Sequence, residues 1–572
     1  MRKKLFTTLV IMITLLESIF AQQRVVKGTI TSASDGLLLP GVSVMVKEVK
    51  NVGTITDADG KYSVVLPKGA ENLVFSFVGM ETKTVKIGTS NEINVKMETA
   101  TTDLKELVVT ALGIKREAKA IGFSSQEVTS HELIGSRETN LSSFLTGKVA
   151  GLQIAKTSSG TGGSSAITLR GVRSLKGDNK PLFVVDGVPI TNIGNTSGGT
   201  WNETDLGDGI GDINSEDVEN ISVLKGPSAT ALYGAKGSNG VILITTKSGS
   251  KKKGLNVEVN SNLSVETLNL IPTFQNYYAN GYEETNLYGS LVTIDGKKYE
   301  TMDTWQTDSY GPPLDGRRTI VDPFVYPEDV NKKTLVLLPQ PADNVKKFYN
   351  TGFTNTNTIS LSGGNDKTVA RLSLGNSTTQ GIIPNNSLSK ETVTLRVNSQ
   401  VNNFLSFDAK FNYIHDEGDN RPSLGSGNDN VTTTLCTMGR YVPMEWLKEY
   451  YEKTKLPGSW PGVNYNPYFV VNELKNHDTK DRLIGMISAN LKLNSWLSLQ
   501  GRVGTDFYTQ TQNKKWPIGS KGSDNYLGRV YNYNYIVRDV NADVILSATK
   551  ELSKHFNISG SVGSSILYQE RN

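Results

Sequence analysis

Four histidines and one cysteine are the residues of this 572-residue chain best suited to holding a metal or attacking a substrate. They stand at His131, His415, His477, His555 and Cys436. No histidine falls in a His-Glu-x-x-His pattern or another metal-ligand spacing. Neither a Gly-x-Ser-x-Gly elbow nor a phosphate loop with its lysine is present. "SSGTGGSS" (158–165) is rich in glycine, but nothing places it as a phosphate cradle ahead of a helix, so it reads as a loop that turns tightly. The chain is therefore read as no enzyme, with no cofactor and no metal. A single cysteine forms no internal disulfide, and Cys436 is read as incidental.

A different kind of chemistry lies in "LKELVVTALGIKRE", Leu104 to Glu117. Leu107, Val108 and Val109 form a short β-favouring run between the polar "METATTD" and the charged "GIKREAKAIG". An extended apolar triplet can add to the edge of another protein's sheet through its backbone. It is equally the last strand of a preceding domain, or plain linker.

The elements around it set the context. Sixty Lys+Arg against fifty-six Asp+Glu give a net charge of +4, too small for this length to argue for nucleic acid. Residues 1–21 combine the basic "MRKKLF", the short apolar "TTLVIMITLLESIF" and Ala21 at a cleavage point, and read as a secretory signal. From 22 to 98 short alternating runs predict a small β-sandwich, with Val42, Val44 and Val46 on one face and Leu73, Phe75 and Phe77 on another. "DADG" is predicted as a hairpin turn rather than a calcium loop. A linker follows (99–122), then an α+β segment (123–250). There Asn140 caps a short helix, "PLFVVDGVPI" and "AITLRGVRSL" are strands, and "INSEDVENISVLKG" is an acidic helix running into a strand.

From 251 to 572 the alternation becomes regular. Leu405, Phe407, Ala409, Phe411 and Tyr413 share one face, against Ser406, Asp408, Lys410 and Asn412 on the other. "LSLQGRVGTDF" repeats the pattern. Connections alternate between short and very long, as they do in transmembrane β-barrels. About nine strands are predicted, with apolar faces toward lipid and polar faces toward a lumen. The fold class is thus mainly β.

"LTGKVAGLQI", "ITLRGVRSL", "PLFVVDGVPI", "SYGPPLDG" and above all "DVENISVLKGPSATALYGAKGSNGVILITTKSG" resemble the SusC-like (SusC/RagA) TonB-dependent outer-membrane transporters. The resemblance implies a carboxypeptidase-regulatory-like sandwich (22–98), a TonB box (99–122), a plug (123–250) and part of a 22-stranded barrel (251–572). On this reading the box is Glu106, Leu107, Val108, Val109 and Thr110, captured by TonB from the periplasm. Arg170 and Asp186 are expected to pair with charges on the barrel wall. Gly171, Gly187, Gly226, Gly234 and Gly240 are expected to allow tight turns, and Lys225 to serve either purpose. Tyr277, Tyr278, Tyr282 and Trp305, in the first long loop, are expected to stack on sugar rings or line a partner interface. The implied activity is import of a nutrient ligand, a glycan oligomer or peptide, across the outer membrane with a SusD-like surface lipoprotein. Nine strands cannot close such a barrel, so the chain is expected to be a fragment. The alternative is an exported β-rich adhesion protein that transports nothing.

Overall fold

A computed structural model describes residues 24–572, except 34–35, 50–51, 68, 78–79, 99–106, 110–114, 118–124, 131, 133–139, 158, 176–178, 193–195, 198–202, 226–232, 252–253, 282–286, 295, 303–307, 321–333, 426, 428, 459–464, 521–526 and 554–555. The signal segment 1–21 lies outside the described residues. The chain divides into two compact units, Met1–Glu106 and Leu107–Asn572.

In the first unit, Arg24–Ser32 pairs with Lys61–Leu66 and Val95–Met97. A second sheet orders Gly53–Ile55, Ser43–Val46, Asn72–Ser76 and Lys83–Lys86. Alternation buries Val26, Ile30, Val42, Val44, Val46, Leu73 and Phe75, with Phe77 partly buried against them. Tyr62 packs edge-on against Phe75 at 5.6 Å. "DADG" does turn the chain: Asp57 Oδ1 accepts from the amides of Asp59 and Lys61. It is not the predicted hairpin, however, because the flanking strands enter different sheets. The turn is a corner of the sandwich, and period-two alternation alone does not tell a corner from a hairpin.

In the second unit, a five-stranded sheet orders Ser125–Thr129, Val218–Leu224, Val241–Thr246, Leu182–Val185 and Val188–Ile190. Its core holds Phe183, Ile221, Ile242 and Ile244. Asn140 caps the helix Leu141–Phe144 by accepting from the Ser142 amide, and Asn214 caps the 3-10 turn Ser215–Asp217 in the same way.

A nine-stranded antiparallel sheet follows in chain order. Its strands are β1 (Leu255–Glu266), β2 (Gly352–Gly364), β3 (Thr368–Gln380), β4 (Ser387–Gln400), β5 (Leu405–Asp419), β6 (Lys475–Lys492), β7 (Leu497–Trp516), β8 (Arg529–Ser553) and β9 (Phe556–Arg571). Short turns join β2 to β3, β4 to β5, β6 to β7 and β8 to β9 at one rim. At the other rim, long connections join β1 to β2 and β5 to β6. The second of these carries helices α1 (Val431–Thr437), α2 (Met444–Thr454) and α3 (Pro467–Glu473). Their core of Tyr441, Leu447 and Phe469 also takes in Phe348 and Ala279 from the first long connection.

The sheet is apolar on the wrong side for water. Phe407, Phe411, Tyr413, Ile487, Val503, Ile558 and Ile566 are exposed, while Lys410, Asn412, Arg482, Arg502, Asp506 and Gln510 are buried. The five-stranded domain supplies part of the cover on that polar face: Ile414 and Ile484 of the wall join its core.

Candidate functional site: the plug and wall interface

Charges taken out of water need partners, because an unpaired buried ion costs several kcal/mol. Here three carboxylates of the five-stranded domain meet cations of the wall. Asp186 pairs with Arg396 of β4 at 3.4 Å and with Lys410 of β5, and also accepts from the Thr246 amide and hydroxyl. Burial pushes the Asp186 carboxyl up, but Lys410 and Arg396 outweigh burial and hold it at about 2. Asp212 receives Lys480 at 2.6 Å and Arg482 at 2.5 Å, both from β6. Its carboxyl is likewise lowered against burial by Lys480 and Arg482. Asp217 pairs with Arg371 of β3 at 2.7 Å and accepts from Thr394 of β4. Arg482, fully buried, also clasps Asp506 of β7 at 2.8 Å. Neutral contacts add to this: the Thr191 amide donates to Asp506, its hydroxyl to Asp539, and Gln510 donates to the Leu206 carbonyl.

The glycine-rich loop, described over residues 159–165, folds around carboxylates of its own domain. Asp205 accepts from the Ser164 amide, from the Thr157, Ser159 and Ser164 hydroxyls, and from the Gly207 amide. Asp208 accepts from the Ser165 and Gly211 amides, and burial pushes its carboxyl up. The donors of Ser159, Ser164 and Ser165 are thereby spent on the protein itself. Beside it opens a cavity of about 460 Å³ between this domain and β1–β5, lined by Thr161, Asn214, Asn262, Thr358, Lys390 and Asp416 among others. On its far side the long connection after β5 touches the domain directly. Ser423 bridges to Thr204, and the Leu424 amide donates to the Glu203 carbonyl at 2.8 Å.

The residues expected to matter fall out unevenly. Asp186 sits among wall charges, in a left-handed backbone conformation with φ 48°. Arg170 is also left-handed (φ 62°) but exposed, and among the described residues it makes no ion pair with the wall. It stands at the turn after Ser165–Leu169, where its amide donates to the Gly151 carbonyl. Lys225 is buried and donates to Gln126 at 3.1 Å rather than to the wall. Burial, then the nearby Arg170, pushes its pKa down. At Gly187, with φ 88°, an added Cβ would lie 2.0 Å from Arg502, so the bare backbone is what lets the wall approach. Gly240 (φ 95°) is similarly closed in by Leu169, whereas Gly171 and Gly234 have open space around them. Gly226, Tyr282 and Trp305 lie outside the described residues. Tyr277 and Tyr278 are exposed, their backbones tied to Leu314 and Pro313.

Leu107–Val109 is a strand, and it already has a partner: Lys115–Glu117 pairs with it antiparallel. Glu106 and Thr110 lie outside the described residues. Sequence reasoning missed Asp212, Asp217, Arg482 and Asp506. The alternation "HDTKDR" that places Asp478, Lys480 and Arg482 on one face was a usable signal for the wall half of the network.

Comparison with known proteins agrees with this arrangement. Residues 117–241 match the family model for the TonB-dependent Receptor Plug Domain, and residues 26–109 the model for the CarboxypepD_reg-like domain. The TonB-dependent receptor P39 of Formosa agariphila is 31% identical over 385 residues, covering 67% of this chain and 32% of the relative. The TonB-dependent receptor SusC of Bacteroides thetaiotaomicron is 35% identical over 245 residues, covering 43% of this chain and 23% of the relative. The RagAB peptide importer in its closed-closed state superposes with a TM-score of 0.58 at 19% identity, over 79% of this chain and 48% of that one. The five-stranded domain is thus the plug of a TonB-dependent receptor. Within that class, the chain is similar to the SusC-like receptors. It spans about a third or less of the length of these curated relatives.

Proposed function

We propose that this chain is part of a SusC-like importer that takes up a nutrient across the outer membrane, driven by TonB. The observation that carries the reading is the plug held by Asp186, Asp212 and Asp217 against the polar face of a sheet whose apolar face points outward. In this reading the outward face meets lipid, and the sheet is a barrel wall. The sandwich lies in the periplasm, and residues 99–122 link it to the plug with the TonB box at Glu106–Thr110. TonB captures the box by strand addition, which exchanges the pairing of Leu107–Val109 with Lys115–Glu117 for a pairing with TonB. The pull reaches the plug, whose ion pairs yield, and the nutrient passes. Asp186 acts as a lock, Gly187 lets the plug fit closely against the wall, and Gly240 lets the plug pack on itself. A SusD-like lipoprotein caps the outer side. Tyr277 and Tyr278, with Tyr282 and Trp305, offer aromatic surface to it or to the nutrient. RagAB is a peptide importer, which supports a peptide cargo; a glycan oligomer is the other candidate.

Val108→Pro tests the coupling, because proline removes a strand donor. The expected outcome is loss of growth on a peptide digest or an oligosaccharide mixture as sole nutrient, with unchanged outer-membrane abundance. Normal growth of the variant on the nutrient that the unaltered protein imports would refute the assigned box.

A further inference from the structure

Among the described residues, the polar face of the wall contains one buried carboxylate with no ion pair within 4 Å. Asp416 of β5 is 6% exposed, and its Oδ1 has no hydrogen-bond partner. Yet it is surrounded by cations. Lys390 of β4 and Lys480 of β6 are its direct cross-strand neighbours, one on each side. Arg421 stands two residues beyond the end of β5. Each of the three makes its hydrogen bonds or ion pairs to other groups. The Lys390 amine donates to the Gly211 carbonyl of the plug, and the Lys480 amine pairs with Asp212 of the plug. Arg421 pairs with Asp478 at 2.6 Å and donates to the carbonyls of Thr161 and Gly162 in the glycine-rich plug loop. The carboxyl of Asp212 also lies within hydrogen-bond reach of Asp416, whose Oδ1 alone is left without a partner. Docking of the plug therefore draws the wall's cations away from Asp416 and sets a second carboxylate against it.

We propose that Asp416 is a positioning residue for plug release: it receives Lys390 and Lys480 when the plug segment Asp208–Ile213 withdraws. The inference rests on the import reading only in that withdrawal is taken as the transport step. Directly opposed residues on neighbouring strands have Cβ atoms about 4.5–5.5 Å apart, so the exchange needs side-chain rotation and no backbone movement. The cavity that both Lys390 and Asp416 line gives the lysine room to swing. Each lysine then has an acceptor in both states: Gly211 or Asp212 when the plug is seated, Asp416 when it is not. A wall without Asp416 would leave two ammonium groups without a protein acceptor on release, and so would hold the plug tighter. The device lowers the cost of opening without loosening any closed-state contact.

The test compares Asp416→Asn and Asp416→Glu with the unaltered protein, in native membrane-inserted form, by amide hydrogen exchange over residues 207–213. Asparagine keeps the shape and removes the charge that the seated plug leaves stranded. Exchange of this segment is expected to slow about 10-fold, the scale of an unsatisfied buried group. Glutamate is expected to restore exchange to near the unaltered rate, which a purely structural role for the site would not predict. Unchanged exchange in Asp416→Asn would mean the carboxyl is already neutral, through a proton shared with Asp212, and would overturn the proposal. Faster exchange would mean Asp416 supports the seated plug, and would overturn it too. Growth on a peptide digest separates the two readings. Slowed exchange in a protein that imports nothing upholds the exchange at Asp416 and sinks import; ordinary exchange in an active importer does the reverse.

Discussion

The sandwich of residues 24–97 and the nine-stranded wall are built from the same period-two alternation, and they bury opposite halves of it. In the sandwich, Val44, Leu73 and Phe75 go inside, and Lys61 and Lys83 stay out. In the wall, Phe411, Ile487 and Val503 stay out, and Lys410, Arg482 and Asp506 go inside. The sandwich is held by apolar contact, and among its described residues no charged side chain is buried. On its inner face the wall is held by ion pairs across to the plug. On the proposed function, what differs is the solvent each surface must satisfy: water around the sandwich, hydrocarbon around the wall. Alternation fixes which residues share a face, and the environment decides which face is the inside.

The comparison breaks most visibly at Arg482. Arg482→Ala leaves Asp212 short of one cation and Asp506 without its cation, both buried. It is expected to cost about 3–5 kcal/mol, read as a lower urea midpoint for plug unfolding in the membrane-inserted protein. A charge added to each outer face sharpens the contrast. Ile487→Lys on the wall is expected to cost about 2–4 kcal/mol in a bilayer. Met45→Lys on the sandwich, at a similarly exposed apolar position, is expected to stay within about 0.5 kcal/mol. Equal costs, measured by denaturation of the two proteins, would erase the distinction.

Acid probes the ionic side of the comparison. The Asp186 carboxyl is lowered from 3.8 to about 2 by its cations, so its contribution is complete above the ordinary value and is lost as pH falls through about 2. The loss is expected to reach about 2 kcal/mol of plug stability, to be absent in Asp186→Asn, and to be followed by hydrogen exchange between pH 4 and pH 2. The smallest effect is expected at Lys347→Ala. That residue pairs with Glu445 at 2.6 Å, but both side chains are about half exposed, so no shift of the urea midpoint is expected by the same denaturation.

Much of this was legible in the sequence, and the rest failed for identifiable reasons. The faces of β5 and β7 follow from their residues, because alternation is local. The partners of those faces do not: Arg482 and Asp212 are 270 residues apart, and no spacing rule joins them. Asp186 was singled out as a charge in a narrow place, and it sits among wall cations. Arg170 was singled out on the same ground but stands exposed at a left-handed turn, so the type of residue did not reveal its direction. The glycine-rich loop was read as a tight turn; its dependence on Asp205, 41 residues from Ser164, lay beyond any local pattern. Leu107–Val109 looked like a strand in search of an edge, and nothing in "GIKRE" announced that Lys115–Glu117 would occupy it.

The central claim is that the wall's outer face lies in lipid. Nitroxide labels at Phe407→Cys, Phe411→Cys and Tyr413→Cys, each in a Cys436→Ser background, test it against a label at Asn412→Cys on the opposite face. Outward labels are expected to collide more with oxygen than with a water-soluble nickel chelate, and the inward label is expected to break that trend. Free access of the nickel chelate to all three outward positions would contradict the account and leave a β-rich protein that faces water on both sides.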